Sequence, residues 1–142
     1  MQQARVILCE KNGTWAVAFR RELASPVIRV YETRSRKQCR EEVALSPASF
    51  VGLEVTAENI DAAHNFVTCL REEFPCSCVV VLGSRDSEPY EFPLREAGAI
   101  FATFSPRHLS AAVTLARRQL MTVSDTGTSL RETIFARLPW SE

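Results

Sequence analysis

Apolar and polar positions along the chain follow two alternating periods. Short, nearly continuous apolar runs fit strands covered on both faces. They occur at ARVILCE (4–10), VIRVYE (27–32), SFVGLEV (49–55), CSCVVVLG (76–83) and AIFATFS (99–105). Between them, apolar residues recur three and four apart. TWAVAFRREL (14–23) places Trp15, Phe19 and Leu23 on one helical face. Ser35 followed by Gln38 forms a capping box for a helix through Val43 and Leu45, which Pro47 stops. Asn59 caps a third helix carrying Ile60, Ala63, Phe66, Val67 and Leu70 at helical spacing, and Pro75 ends it. A weaker helix falls around PYEFPLREAG, where Pro93 removes a backbone donor and predicts shortening or a kink. PRHLSAAVTLARRQLM (106–121) predicts a strong last helix, with Pro106 at its first position.

Five strand-then-helix repeats imply an α/β fold with a doubly wound parallel sheet, because parallel strands need crossover connections. Ligands of open sheets of this kind bind outside the carboxyl ends of the strands. The residues predicted there are Glu10 and Lys11, Glu54, Gly83 and Ser84, and Ser105. Glu54 draws most notice, since FVGLE closes an apolar run with a charge that a buried strand has no local use for.

The order of elements and the residues at the strand ends resemble the receiver domains of two-component response regulators, over roughly residues 4–121. VILCEKN is similar to the family's first strand, which ends in a pair of acidic metal ligands. FVGLE is similar to the third strand, which ends in the phosphorylated aspartate. REAGAIFATFSP is similar to the Gly-Ala, strand, Lys-Pro segment. The resemblance implies a CheY-like, flavodoxin-like sheet in the order 2-1-3-4-5. It puts the acidic pair on Glu10 and Lys11 and the phosphoacceptor on Glu54. The fourth-strand hydroxyl falls on Gly83, or on Ser84 if the register slips by one, and only one of the two can face the site. The essential lysine falls on Ser105 and the activation-reporting aromatic on Ala102. By this resemblance the chain is a degenerate receiver.

Phosphoryl transfer to a carboxylate needs a metal and a cation to stabilise charge on the transferring oxygens. Magnesium prefers octahedral oxygen ligands with carboxylates close by, and Lys11 puts a cation there instead. Two readings of Lys11 and Glu54 stand side by side. They form an internal ion pair that replaces the metal, or both reach solvent, where a pair is worth little. A phosphoaspartate mimic at Glu54 has less support, because Gly83 and Ala102 replace the residues that would read it.

Composition narrows the alternatives. The chain has 142 residues, enough for one core. Lys plus Arg and Asp plus Glu both number 17, for zero net charge, which argues against binding driven by nucleic-acid phosphates. Arg34, Arg36 and Lys37 are followed at once by Glu41 and Glu42, as on a solvated helix face. No segment approaches a membrane span, and MQQARVILCEK is too short an apolar run for a secretory signal. An odd five cysteines, scattered through strand and helix patterns, suggest reduced thiols and a cytoplasmic location. Cys76 and Cys78 are spaced C-x-C, and with Cys9 and Cys69 they read as buried core thiols, Cys39 as a helix-face residue. No metal set is expected. His64 reads as a partly exposed helix residue. His108 lies nearer the crevice but has no paired nucleophile. NGT (12–14) lacks the glycine spacing of a phosphate loop. No cofactor is expected.

Beyond residue 121, TVSDTGTS reads as a linker. Ser129 and Glu132 then cap an amphipathic segment with Leu130, Ile134 and Leu138 on one face, joined by Phe135 and Trp140. A helix this short must bury that face, on its own domain or on a partner. The division expected is a receiver-like domain over 1–121 and a linker with terminal helix over 122–142. The function expected is that of a non-catalytic, non-phosphorylated module that binds an unidentified protein. By resemblance its contact surface includes Tyr90, Phe92, Phe101 and the exposed side of 107–118; the terminal residues above, from their own pattern, are further candidates. Homodimerisation is compatible with this. Two alternatives are a receiver still switched by phosphoryl or ligand binding at the crevice, and a small cofactor-binding flavodoxin-like enzyme.

Overall fold

Every residue of CVVVL, Cys78–Leu82, is buried, as a strand flanked by strands and covered on both faces requires. In the computed structural model, which describes residues 5–24 and 28–121, this segment is β4 of a single five-stranded sheet. The others are β1 (Val6–Cys9), β2 (Val30–Thr33), β3 (Phe50–Glu54) and β5 (Phe101–Thr103). All pair in parallel, in the order β2-β1-β3-β4-β5. The helices are α1 (Thr14–Leu23), α2 (Arg36–Leu45), α3 (Ile60–Glu73), α4 (Glu91–Ala97) and α5 (110–121). Each strand is shorter than its apolar run, because the flanking residues continue into turns rather than ladder pairs.

The alternation of side chains along each strand divides the core in two. Ile7, Val51, Leu53, Val79 and Val81 meet Cys39 and Val43 of α2, Phe66, Val67 and Leu70 of α3, and Leu94 and Ala97 of α4. Val6, Leu8, Phe50, Val80 and Leu82 meet Trp15, Phe19 and Leu23 of α1 and Ala112, Val113 and Ala116 of α5. Polar clips fix the layers. Arg5 bonds Glu42 Oε2 at 2.8 Å and Ser46 Oγ at 3.0 Å, and its guanidinium lies 4.3 Å from the Tyr31 ring centroid. Arg117 donates to the Leu23 carbonyl at 2.6 Å, capping the end of α1 from α5. Gln119 donates to the Ala48 and Cys76 carbonyls at 2.8 and 3.0 Å, which seats the end of α5 beside the amino ends of β3 and β4.

Several expectations are corrected at this level. Pro93 falls in the first turn of its helix, which runs only over Glu91–Ala97. It is the third residue of α4, where the backbone donor it lacks would have no intrahelical partner. The helix is nonetheless short, with a 3-10 turn over Glu88–Tyr90 ahead of it. Pro106 begins a separate 3-10 turn, Pro106–His108, and α5 starts only at residue 110. Asn59 occupies the N-cap position of α3 but turns back, accepting from the Thr56 N–H at 2.8 Å and leaving the helix amides alone. Cys39 is fully buried rather than on a free helix face, while Cys69 and Cys76 are exposed rather than in the core. Cys76 lies two residues ahead of β4, before the sheet's cover begins.

Candidate functional site

The carboxyl ends of β1, β3, β4 and β5 bring Glu10, Lys11, Glu54, Gly83, Ser84 and Ser105 to one edge of the sheet. Glu10 follows directly on β1. Its N–H donates to the Thr33 carbonyl at 3.1 Å, and its own carbonyl accepts from Arg34 at 3.2 Å. The side chain is only 2% exposed and turns into the start of α1. One carboxylate oxygen accepts from the Trp15 N–H at 2.9 Å and the other from the Ala16 N–H at 2.7 Å. The first turn of a helix leaves amide donors without partners and carries the positive end of the helix dipole, so a carboxylate there is strongly held. Gly13 makes the geometry accessible. It is the N-cap of α1, contributes no capping side chain, and sits at φ 79, a left-handed conformation that glycine adopts freely. The tight Lys11–Gly13 turn lets a residue from the strand supply the cap from outside the helix.

Lys11 and Glu54 do touch, but not as an ion pair. The backbone N–H of Lys11 donates to Glu54 Oε1 at 3.3 Å. Among the described residues, none of the ion pairs joins the Lys11 ammonium to Glu54. Lys11 is exposed and Glu54 half-buried. A double-mutant cycle of Lys11→Met with Glu54→Gln, read by urea denaturation, is expected to give a coupling below about 0.5 kcal/mol. A coupling above about 1 kcal/mol would restore the ion pair.

At the end of β4 the two register alternatives separate. A Cβ on Gly83 would fall 2.4 Å from Ser87 Oγ and 2.8 Å from the Phe104 ring, so a side chain there would have to displace both. Ser84 is exposed, and its hydroxyl bonds Asp86, which holds that carboxyl below its ordinary range. The fully buried Ser87 closes the loop. Its hydroxyl accepts from the Ser84 N–H at 2.9 Å and donates to the Ser84 carbonyl at 3.0 Å. Ser105 is likewise occupied locally, accepting from the Arg107 N–H at 3.3 Å as the cap of the 3-10 turn. Ala102 is buried against α3 and α4, on the opposite face of β5 from the partly buried Phe101.

Arg20 and Arg34 clasp Glu32 at 2.9 and 3.0 Å beside this edge. Their hydrogen bonds, that of Arg34 foremost, hold the Glu32 carboxyl below its usual range. A depressed carboxylate contributes stability that is complete above its unfolded pKa and lost as pH falls through the folded one. Glu32→Gln is therefore expected to flatten the acid arm of the stability curve below about pH 4.3. The loss at neutral pH should stay under about 1 kcal/mol, because both arginines are half-exposed. Thermal denaturation across pH checks both points. The Cys39 thiol is pushed up by its contact with Cys9 and by burial, and burial alone raises Cys78 to about 11. These thiols are poor nucleophiles at neutral pH.

Comparison with solved structures bears on the fold. A CheY-like protein (tadZ) from Pseudomonas aeruginosa PAO1 superposes with a TM-score of 0.68 at 17% identity, over 82% of this chain and 99% of that one. An orphan response regulator of H. pylori gives 0.66 at 21% identity, over 82% and 96%. The signal receiver domain of a LuxO repressor protein from Vibrio parahaemolyticus gives 0.64 at 12%, over 86% and 95%. The chain has the receiver fold. No protein-family model matches it, and no curated protein is similar to it in sequence.

The receiver fold implies a magnesium ion at the first-strand carboxylates, and the residues present do not fit one. Both Glu10 oxygens already accept backbone N–H groups, and Lys11 stands where a second carboxylate would be needed. Among the described residues, no three of His, Cys, Asp and Glu come together as a metal-holding set. His64 is half-buried on α3, and His108 is exposed on the turn after β5. Sequence reasoning missed Arg34, Ser87 and Phe104. Arg34, two residues past Glu32 on an edge strand, left a faint signal, whereas the other two are defined only by what packs onto Gly83.

Proposed function

We propose that the chain is a pseudo-receiver, a regulatory protein-interaction module that carries out no phosphoryl chemistry at the usual position. One observation carries the reading: Glu10 is committed to the Trp15 and Ala16 amides of α1, which removes the first metal ligand. Without a metal or the lysine replaced by Ser105, charge developing on a phosphoryl group at Glu54 has no stabiliser. A domain of this kind acts through its surface. Phe92 is 70% exposed and Tyr90 38%, with Phe101 half-buried beside them. Exposed aromatic side chains of this sort are typical anchors at protein interfaces. No helix among the described residues is long and apolar enough to cross a membrane. The scattered, odd-numbered cysteines support a reducing, cytoplasmic setting.

The test uses Trp15, whose N–H donates to Glu10. With Trp140→Phe to isolate it, its fluorescence and the amide NMR spectrum are followed during addition of magnesium and then beryllofluoride, beside an ordinary receiver. Both are expected to stay unchanged. A saturable response mapping to Glu10 and Glu54 would overturn the proposal and make the domain a phosphoryl-responsive switch.

A further inference from the structure

The fold brings Cys9 and Cys39 into contact from two separate elements. Cys9 is the last residue of β1 and Cys39 lies on the inner face of α2, 7% and 0% exposed in the same core layer. Both are free thiols, and the Cys39 S–H donates to the Cys9 sulfur. The buried Thr33 hydroxyl lies against both sulfurs. Thr33 pairs with Cys9 across the β1–β2 ladder and donates its own proton to the Leu8 carbonyl at 3.0 Å, which fixes its oxygen beside them. Cys78, by contrast, is buried in the opposite core layer, and Cys69 and Cys76 stand at the surface. A close-packed layer that holds two sulfurs together in the native state removes the search that bond formation between them would otherwise need.

We propose that Cys9 and Cys39 are a redox modification site, a dithiol that a hydroperoxide converts reversibly to an internal disulfide. The inference goes beyond the pseudo-receiver reading, since it uses neither phosphoryl nor metal chemistry. Cys39 is closed to any reagent, so Cys9, with its residual exposure at the carboxyl end of β1, reacts first. Hydrogen peroxide is uncharged and scarcely larger than water. The Cys9 sulfur attacks one peroxide oxygen and the O–O bond breaks. The departing hydroxide leaves as water with the Cys9 proton, and Cys9 becomes a sulfenic acid. The Cys39 sulfur then attacks the Cys9 sulfur and the S–O bond breaks, releasing a second water that carries the Cys39 proton. Two thiols and one peroxide thus give one disulfide and two waters. Exchange with an external dithiol reverses the bond, as befits a chain in a reducing setting. The disulfide pins α2 to the end of β1, one residue ahead of Glu10, and closes a loop of about 30 residues.

The experiment uses the full chain carrying Cys69→Ser/Cys76→Ser, changed only at exposed positions. The folded protein is treated with hydrogen peroxide, unfolded in alkylating reagent and digested with trypsin without reductant. Trypsin releases Cys9 in VILCEK (6–11) and Cys39 in QCR (38–40). The two peptides are expected to appear joined, lighter than their sum by two hydrogen atoms, and the parent chain should give the same joined pair. Thermal denaturation of the oxidised domain is expected to rise by about 10 °C and to return with dithiothreitol. Recovery of both peptides alkylated and separate would overturn the proposal, as would Cys9 sulfinic acid beside an alkylated Cys39. A joined pair obtained only in urea would overturn it too, because the fold would then be keeping the sulfurs apart. So would a joined form that melts below the reduced one, since the bond would be forcing α2 off the sheet.

Discussion

Glu10→Ala is expected to lower the stability of the domain by about 2–4 kcal/mol, equally with and without magnesium. The substitution removes a helix cap, worth about 0.5–2 kcal/mol. It also leaves the Trp15 and Ala16 N–H groups without their acceptor at a buried site, which adds about 1–3 kcal/mol. For a domain of this size the loss corresponds to roughly 10 °C in Tm. Urea and thermal denaturation, each with magnesium and with chelator, measure it. A carboxylate held for a metal would behave differently. The variant would then unfold near the parent in chelator and lose only a magnesium-dependent increment, and that result would return Glu10 to the role its position suggests in ordinary receivers.

Gly83→Thr is expected to cost about 2–3 kcal/mol, even though it restores the hydroxyl residue that the receiver pattern implies at the end of β4. The Cβ alone would sit 2.4 Å from Ser87 Oγ and 2.8 Å from the Phe104 ring. Overpacking of a fitted site costs about 1–3 kcal/mol. Pushing Ser87 aside also breaks its two bonds to Ser84, each worth about 1 kcal/mol. Ser84→Ala, by contrast, should stay within about 0.5 kcal/mol of the parent, since its side chain is exposed and bonds only Asp86. Chemical denaturation of the two variants ranks them. If Gly83→Thr matched the parent, the loop would be able to yield, and the pocket would be closer to an active receiver than its geometry indicates. The pair also addresses a question that the β4 register leaves open in the sequence: Gly83 is packed against Ser87 and Phe104, and Ser84 is exposed.

How much of this was legible beforehand varies by position. The five strands and their crossovers follow from apolar runs separated by helical spacing, a signal that each segment carries by itself. Ser35 with Gln38 marks the start of α2 because both partners of the cap are local, Ser35 Oγ accepting from the Gln38 N–H at 3.1 Å. Pro93 is a less local signal. A proline breaks a helix interior but not a first turn, and where α4 begins depends on the Glu88–Tyr90 turn before it. Cys39, Cys69 and Cys76 were misassigned because burial at the margins of an element depends on which neighbour covers it.

The amino-acid sequence alone determined that this chain builds a doubly wound parallel sheet and that Glu54 closes its middle strand. Periodicity and strand-end chemistry are local properties, written residue by residue. What Glu10 does was decided only by tertiary structure. A glutamate after a first strand reads as a metal ligand or a solvated charge, and nothing nearby in the chain says otherwise. The left-handed turn at Gly13 and the arrival of α1 against the sheet bring two partnerless amides within 2.9 Å of its oxygens. In a buried site those donors outcompete water for the carboxylate, because leaving them unsatisfied costs more than committing the charge to them.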